Sequence, residues 1–337
     1  MNNIVSVIIP VFNRVNLIGE TLDSIIAQSY TDWECIIIDD GSTDDTFEYI
    51  KNKYLQDPRF KLFRRPKEML KGGNAARNFG FEKSSGKYIQ WFDSDDVMLP
   101  LFLEKRINAF TKQTNFVISA GYDVDENLKN RQFKLIKKDE NLKNRQFKLI
   151  KKDENLFKAL VLNKLKIVTQ SVLFKRTFLQ NKNMFKEDIF RGQETEFFSR
   201  LFYKVKSNEY EVIEEALYLY RQHRNTKSSK NKHTYNANFK QSLAYISVEN
   251  MKRGFDIKDK HIVQHHYQLF IKYFFESLNK KDKDTAKKIN NLLGITIVKN
   301  NFLLGICFYS LSRLFIFGNR SVYFIEKSLK NYQFNNI

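Results

Sequence analysis

The N-terminal third of the chain alternates apolar runs of strand length with amphipathic segments of helical spacing. Val5–Phe12 and Cys35–Ile38 are almost continuously apolar, which is typical of strands covered on both faces of a parallel sheet. The pattern predicts further strands at 60–65, 87–92 and 116–124, and helices at 17–28, 46–54, 74–83 and 100–110. We therefore predict an α/β domain of Rossmann-like architecture, with a mainly parallel central sheet flanked by helices.

The C-terminal third has a different pattern. Residues 227–241 are polar and basic, as in a linker or a lid, and the chain beyond them is aromatic-rich with helical spacing. These changes predict a first domain over residues 1–225, followed by a linker and a C-terminal helical region over residues 226–337.

The most apolar stretch, residues 300–319, is interrupted by Arg313 and falls short of the ~20 apolar residues that a membrane-spanning helix needs. Two interpretations remain open: a helix buried in a core, or a helix lying on a membrane surface. Basic residues around the stretch favour an anionic surface in the second case. They are Lys299, Arg313, Arg320 and Lys327.

The segment "DENLKNRQFKLIKK" occurs twice in tandem, at Asp125–Lys138 and Asp139–Lys152, and a partial third copy opens at Asp153. A unit this short and polar, present twice, cannot build the stacked core of a solenoid. We expect the extra copy to form a surface excursion ahead of a helix at 156–162, with Asp153 as the N-cap.

Composition narrows the classes of protein to consider. The 337 residues are 42% hydrophobic and 15% aromatic, which excludes a disordered chain. The net charge of +19 suits nucleic acid, an anionic membrane or a phosphorylated substrate. No RNA-binding or helix-turn-helix signature accompanies the charge, so we expect no nucleic-acid partner. Two distant cysteines and no recognisable signal peptide predict a cytoplasmic protein, with peripheral contact at the inner face of the cell membrane.

Carboxylates gather where two predicted strands end. Asp39 and Asp40 follow one strand, and Asp93, Asp95 and Asp96 follow another. Ligands of open α/β sheets bind at the carboxyl ends of the strands. Clustered carboxylates repel one another unless a cation neutralises them, and a divalent ion that also binds substrate phosphates meets that need. The pattern predicts a metal–phosphate site; the alternative is that the second cluster only caps a helix or forms an Asx turn.

Five segments, in this order, resemble the family 2 inverting glycosyltransferases of bacterial glycan biosynthesis, which have the GT-A fold. They are "SVIIPVFNR", "DDGSTD", "GGNAARNFG", "GKYIQWFDSDD" and "GQETEFFSRLF", and the resemblance covers about residues 3 to 225. It implies a metal-dependent hexosyltransferase, with Mn²⁺ or Mg²⁺ as cofactor. The sugar would pass from a nucleotide-sugar to a hydroxyl of a glycan or lipid-linked oligosaccharide.

The resemblance also implies roles for single residues of the donor pocket. Pro10 and Phe12 match positions that contact the nucleotide, although core packing is an alternative role for Phe12. Asp40 matches the carboxylate that accepts a hydrogen bond from uracil N3–H, which favours a UDP-sugar. Asn74 and Arg77 match residues that line the pocket, although Arg77 would also suit a surface position on a helix.

Further positions match the metal and diphosphate contacts of the family. The resemblance places Asp95 near the ribose and makes Asp96 the ligand of a metal ion that bridges the diphosphate. The segment "YRQH" supplies Arg221 and His223 as candidates to contact the diphosphate or the metal.

The catalytic base is expected in "RGQETEFFSR". An inverting transfer needs a carboxylate to accept the proton of the acceptor hydroxyl, and Glu194 matches the usual base of the family. Glu196 is an alternative base, and a structural helix start is a further one. The family usually has Glu-Asp where this chain has Gln193 and Glu194, which leaves open a non-catalytic member that only binds nucleotide-sugar. A nucleotidyltransferase is a weaker alternative, because no Gly-rich loop follows the first strand.

Overall fold

A computed structural model describes residues 3–128, 132–134, 155–222, 234–300, 302–318 and 323–334. The second copy of the tandem repeat, Asp139–Lys152, lies outside these residues, and so does His223.

The described residues fall into two compact units. The first comprises Met1–Glu187 and Lys204–Ser229, and the second comprises Asp188–Tyr203 and Lys230–Ile337. The segment around Glu194 therefore belongs to the second unit, whereas the division at residue 225 expected from the sequence places it in the first domain.

One sheet of nine strands organises the described part of the first unit, in the order β3-β2-β1-β4-β8-β6-β9-β5, with β7 paired to β6. The strands are β1 (Val5–Val11), β2 (Trp33–Asp39), β3 (Phe60–Arg64), β4 (Tyr88–Trp91), β5 (Val97–Met98), β6 (Phe116–Val124), β7 (Gln132–Lys134), β8 (Val172–Lys175) and β9 (Tyr210–Arg221).

The sheet is parallel on one side and mixed on the other. β1 pairs in parallel with β2 and β4, and β2 pairs in parallel with β3. β8 runs antiparallel to both β4 and β6, and β9 is parallel to β6. The predicted α/β class is confirmed. The sheet has more antiparallel pairing than the sequence predicts. The antiparallel strands β5, β7 and β8 were not predicted because they are too short to show a clear hydrophobic pattern.

The apolar strands form the centre of the first unit. Ile8 of β1 and Ile36 of β2 are fully buried, as expected for strands covered on both faces. A helix packs closely on β1 through Gly80, where an added Cβ would lie 2.3 Å from Ile8 Cγ2. This distance is too short for any side chain, so Gly80 is required for the close approach of helix and sheet.

Six helices of the first unit surround the sheet in the described residues. They are α1 (Ile18–Ile26), α2 (Thr46–Tyr54), α3 (Gly73–Lys83), α4 (Phe102–Asn108), α5 (Leu156–Val161) and α6 (Arg176–Leu179). The predicted N-cap of α5 was wrong. Asn155, rather than Asp153, caps the helix by accepting a hydrogen bond from Lys158 N.

The second unit is helical in its described part, as predicted. Its helices are α7 (Gln193–Leu201), α8 (Ala237–Asp256), α9 (Lys260–Asn279), α10 (Lys283–Asn300), α11 (Phe302–Gly318) and α12 (Tyr323–Asn331). Tyr267, Phe270 and Phe274 of α9 are fully buried in its core. None of the described helices combines the length and the apolar character needed to cross a bilayer.

Glu34 at the start of β2 joins three neighbouring segments of the first unit. Its Oε1 accepts hydrogen bonds from Ser6 Oγ at 2.6 Å and from Ser85 N at 2.6 Å, and Lys61 Nζ lies 2.8 Å from Oε2. Burial raises the pKa of Glu34, but the hydrogen bonds from Lys61, Ser6 and Ser85 outweigh burial and lower the pKa to about 2.

Glu34→Gln is expected to lower the free energy of unfolding by about 2–3 kcal/mol at pH 7. Because the folded-state pKa lies below the ordinary value of 4.5, the carboxylate contributes stability above pH 4.5 and loses it as the pH falls toward 2. Urea unfolding at pH 7 and pH 3 measures the effect. The difference between variant and wild type should narrow at pH 3, and a difference that stays constant would contradict this role of Glu34.

Candidate active site

The predicted carboxylate clusters emerge at one edge of the sheet. Val11 of β1 pairs with Asp39 of β2, and Ile8 of β1 pairs with Trp91 of β4. These strands are parallel neighbours, so the segments that follow them leave the sheet on the same side. Asp40 follows β2, where its backbone N–H donates to Val11 O at 2.9 Å.

Asp40 is 6% exposed and is held through a single carboxylate oxygen. Arg65 Nε and Gly72 N both donate to Oδ1, the latter at 3.2 Å, and no hydrogen bond from the described residues reaches Oδ2. Gly72 has φ +148°, a conformation that favours glycine and lets its N–H point at Asp40. Arg65 also donates to Met69 O, so one side chain fixes both Asp40 and the loop before α3.

Asp39 has a different role from Asp40. Its carboxylate accepts hydrogen bonds from Gly41 N and Ser42 N, both at 3.2 Å. The side chain therefore closes an Asx-type turn and leaves Asp40 as the donor-site candidate of this pair.

Phe12 and Pro10 lie at the end of β1 and are half-buried. Lys71 Nζ lies 4.3 Å from the centroid of the Phe12 ring, a cation–π contact. Lys71 is exposed and Phe12 is half-buried, so the core does not enclose the Phe12 ring. Asn13 follows with φ 51°, and its Oδ1 accepts from Thr43 N at 2.8 Å, which ties the β1 and β2 loops together.

Asp95 retains partial exposure within the second cluster. Its side chain is 19% exposed, and its Oδ2 lies 3.3 Å from Arg14 Nε. Arg14 comes from the loop after β1, so this ion pair joins two loops at the same edge of the sheet.

Asp96 is fully buried. Arg221 N donates to its Oδ1 at 2.8 Å, and Gln170 Nε2 donates to its Oδ2. Burial raises the pKa of Asp96 well above its ordinary value, and the adjacent charges of Asp95 and Asp93 raise the pKa further. A divalent cation nearby would relieve this repulsion between carboxylates.

Gln170 joins Asp93 and Asp96, the two ends of the acidic cluster. Besides Asp96, its Nε2 donates to Asp93 Oδ2 at 3.0 Å. Its carbonyl oxygen accepts from Arg106 Nη2 at 2.8 Å, and Arg106 Nη1 donates to Gln90 Oε1 at 2.6 Å. Arg106 is fully buried, and burial lowers its pKa to about 9. The acidic cluster therefore rests on a buried polar network.

Arg77 and Asn74 of α3 both donate hydrogen bonds to residues outside the helix. Arg77 Nη2 donates to Asp93 Oδ1 at 2.8 Å, and its side chain is 11% exposed, so it is not a surface residue of the helix. Asn74 Nδ2 donates to Lys186 O at 2.7 Å. Asn74 Oδ1 and Arg77 Nε are buried without a hydrogen-bond partner among the described residues.

Arg221 lies at the site, but its guanidinium is engaged with protein oxygens. Nε donates to Asp95 O at 2.8 Å, Nη1 donates to Glu126 O at 2.8 Å, and Nη2 pairs with Glu20. The expected contact with a diphosphate would require these bonds to break. In this arrangement the guanidinium of Arg221 ties the end of β9 to the loop carrying Asp95 and Asp96, and its contact with a diphosphate stays a prediction.

The donor set fits a divalent cation that takes its remaining ligands from a diphosphate. Among the described residues, no three His, Cys, Asp or Glu side chains are grouped closely enough to hold a metal ion alone. A cation of the Mg²⁺ type needs only one or two carboxylates when substrate phosphates and water complete its shell. Asp95, partly exposed, and Asp96, crowded by like charge, are the carboxylates that would hold such a cation.

The two candidate bases lie on α7 of the second unit. Gly192, with φ 76°, precedes the helix, and Glu194 is half-buried in its first turn. Glu196 is 5% exposed, and Arg200 binds both of its oxygens, with Nε–Oε1 at 2.8 Å and Nη2–Oε2 at 2.9 Å. A buried carboxylate bound through both oxygens is a structural ion pair, which disfavours Glu196 as the base.

Comparison with known proteins identifies the N-terminal part of the chain. Residues 6–165 match the family described as Glycosyl transferase family 2. These residues belong to that family.

Curated relatives of this part of the chain are named as glycosyltransferases. A protein of Haemophilus influenzae described as an uncharacterized glycosyltransferase is 41% identical over 133 residues, which are 40% of this chain and 52% of that protein. Escherichia coli WfgD, named a UDP-Glc:alpha-D-GlcNAc-diphosphoundecaprenol beta-1,3-glucosyltransferase, is 32% identical over 125 residues, 37% of this chain and 47% of WfgD. The chain thus spans about half the length of these curated relatives.

Solved glycosyltransferase structures share the fold. TarS 1–349 of S. aureus has a TM-score of 0.62 at 17% identity, with 98% of this chain and 93% of that chain covered. The mannosyltransferase PcManGT of Pyrobaculum calidifontis has a TM-score of 0.50 at 14% identity, with coverage of 97% and 86%. The likeness confirms the predicted GT-A type of fold with C-terminal helices.

Side chains that shape the site of the glycosyltransferase domain were missed by sequence reasoning: Arg14, Arg65, Arg106 and Gln170. Arg65 could have been found, because it follows β3, the parallel neighbour of β2, and so comes beside Asp40. Arg106 and Gln170 carry no local signal, since their partners are distant in sequence and meet them only through tertiary packing.

Proposed function

We propose that this chain is a metal-dependent, inverting glycosyltransferase that uses a UDP-sugar donor. The acceptor would be a hydroxyl of a glycan or of a lipid-linked oligosaccharide. The observation that carries the proposal is the placement of buried Asp40 and of the Asp95–Asp96 pair at one edge of the sheet, beside Pro10 and Phe12. Such a site can take a planar base at one end and a diphosphate with its cation at the other.

The relatives support the donor and the acceptor class. TarS 1–349 has been solved in complex with UDP-GlcNAc, and PcManGT in complex with GDP-Man and Mn²⁺. The name of WfgD includes a UDP-sugar donor and a diphosphoundecaprenol-linked acceptor. In this chain, Oδ2 of Asp40 is the oxygen proposed to accept from uracil N3–H, while Arg65 and Gly72 hold Oδ1.

The proposed reaction is a single displacement at the anomeric carbon. Glu194 accepts the proton of the acceptor hydroxyl, and the hydroxyl oxygen forms a bond to the anomeric carbon. The bond between that carbon and the diphosphate oxygen breaks, and UDP leaves with the bonding electron pair. A divalent cation held by Asp96 would supply positive charge to the departing diphosphate.

Asp40→Asn is expected to weaken UDP binding by roughly 10–100-fold, because a hydrogen bond to a charged acceptor is lost. Calorimetric titration with UDP, CDP and GDP in the presence of Mn²⁺ tests the base assignment. Wild type should prefer UDP. Asp32→Asn, at an exposed position outside the site, is the matched control and should bind as wild type does. Equal affinity for UDP and GDP in the wild type would contradict the proposed donor class.

Gln170→Leu is expected to lower the Mn²⁺-dependent affinity for UDP by roughly 10–100-fold, a range typical of residues that orient metal ligands. The substitution removes the donor shared by Asp93 and Asp96. UDP titrations in Mn²⁺ and in EDTA separate this effect from a general loss of binding, and a thermal melt checks folding. Gln222→Ala, at an exposed neighbour of Arg221, is the control. Unchanged affinity in Mn²⁺ would show that Gln170 does not position the cluster.

A further inference from the structure

Large apolar side chains lie on the exposed side of α11 beside Ser310 and Arg313, which is unusual for a helix that faces solvent. Leu314 is 66% exposed and Phe317 is 88% exposed, and Ile306, at 45%, lies on the same helical face. Leu314 and Phe317 are the two most exposed large hydrophobic side chains among the described residues. The opposite face carries Phe308 and Phe315, which are buried in the core of the second unit.

The sequence left two interpretations of this helix open: burial in a core, or a position on a membrane surface. Each interpretation fits one face of the helix. One face forms core, as the first interpretation predicts. The other face leaves Leu314 and Phe317 in water, and large exposed apolar side chains grouped on one face mark interaction sites.

Cations surround this apolar face. A cleft of about 460 Å³ between α10 and α11 is lined by Lys283, Lys287 and Arg313, by Asn290 and Asn291, and by Phe317 itself. Lys283 Nζ donates to Phe317 O at 3.2 Å, which places a positive charge at the end of α11. The acidic group beside this cleft is Asp284, which lies 4.0 Å from Lys287 and is itself 91% exposed.

The charge of the wider region has the same sign. Residues 280–334 contain ten Lys and Arg against three Asp and Glu. Protein–protein interfaces are depleted in lysine at their centres, whereas helices that lie on membranes combine a cationic rim with exposed aromatic and aliphatic side chains. Long basic side chains can keep their charges in the headgroup layer while their stems contact the apolar layer.

We propose that the α10–α11 face, defined by Lys283, Lys287, Arg313, Leu314 and Phe317, docks on an anionic lipid bilayer. Phe317 and Leu314 insert at the level of the upper acyl chains, and the three cations contact lipid phosphates. The inference is independent of glycosyl transfer, because every contact that carries it lies on α10 and α11.

Vesicle flotation of the full chain tests the proposal. Phosphatidylcholine vesicles with phosphatidylglycerol should carry the protein, and vesicles of phosphatidylcholine alone should carry far less. Leu314→Ser/Phe317→Ser should lower the partition coefficient on anionic vesicles by roughly tenfold or more. Its matched control is Leu70→Ser/Leu101→Ser, which replaces two exposed leucines of the first unit and should float as wild type does.

A pair of charge-reversal variants tests the electrostatic contribution to membrane binding separately from the apolar contribution. Lys287→Glu/Arg313→Glu should abolish the preference for anionic vesicles, whereas Lys51→Glu/Lys112→Glu, at exposed sites of the first unit, should retain it. All positions are on the surface, so thermal melts should remain unchanged. Three results would overturn the proposal: no flotation, equal flotation on both vesicles, or wild-type flotation of Leu314→Ser/Phe317→Ser. Light scattering that shows a dimer lost in that variant, without flotation, would assign the face to self-association and also overturn it.

Discussion

Glu194→Gln is expected to retain binding of the UDP-sugar and to lower the rate of UDP release by roughly 10²–10⁴-fold, the usual contribution of a general base. Donor affinity would come from Asp40, the cation and the diphosphate, none of which this substitution touches. The amide keeps the size and hydrogen-bonding capacity of the side chain but cannot accept a proton at neutral pH. Calorimetry for donor binding and a UDP-release assay for turnover measure the two properties separately.

Glu196→Gln is the internal control for this prediction. Because Arg200 binds both oxygens of Glu196, the structure predicts a loss of stability for this variant and turnover close to wild type at temperatures where it is folded. If Glu196→Gln loses turnover while folded and Glu194→Gln keeps it, the assignment of the base is reversed. If both variants turn over at the wild-type rate, α7 has no catalytic carboxylate.

Asp96→Asn is expected to remove most of the Mn²⁺ stimulation of UDP release, a loss of roughly 10²–10³-fold. The substitution preserves the volume of a fully buried side chain and removes the charge that a cation needs. UDP release measured over a range of Mn²⁺ concentrations gives the effect directly.

Asp93→Asn is the matched control for Asp96→Asn, since it removes a charge from the same cluster. Asp93 is paired with Arg77 and Gln170, so we expect a reduction of no more than about tenfold through loss of positioning. Equal losses for the two variants would show that the cluster acts through its total charge, and a wild-type response of Asp96→Asn to Mn²⁺ would remove Asp96 as the metal ligand.

Strands β1, β2 and β4 were predictable because a strand buried on both faces is almost continuously apolar in sequence. Val5–Val11 and Trp33–Asp39 are buried along nearly their whole length, and their apolar runs mark them without reference to any partner. Helix α2 was predicted at its observed bounds, Thr46–Tyr54, for a similar local reason. The strand β8, of four residues, and β5, of two, are too short to show a period.

The candidate site was predictable to the extent that strand ends define it. The sequence places Asp40 and the Asp93–Asp96 cluster at one edge once a parallel sheet is assumed, and the structure shows them there. The hydrogen bonds that fix those carboxylates come from Arg65, Gln170 and Arg221. These partners come close only through tertiary packing. The sequence pattern therefore indicated which carboxylates lie together at the sheet edge, but not which of them already accept hydrogen bonds from other side chains.

The role of Arg221 shows this limit most clearly. Its position in "YRQH" suggested a cation for the diphosphate, but three protein oxygens, on Asp95, Glu126 and Glu20, occupy its guanidinium. The sequence pattern gave no sign of these three partners, because they come from distant parts of the chain.

The most direct test of the proposed activity is UDP release from a panel of UDP-sugars by the wild-type protein, in Mn²⁺ and in EDTA, with Glu194→Gln in parallel. We predict that at least one UDP-sugar gives release that requires the divalent cation and is lost in Glu194→Gln. Release that continues unchanged in EDTA, or no release from any UDP-sugar of the panel, would contradict the proposed metal-dependent UDP-sugar transferase.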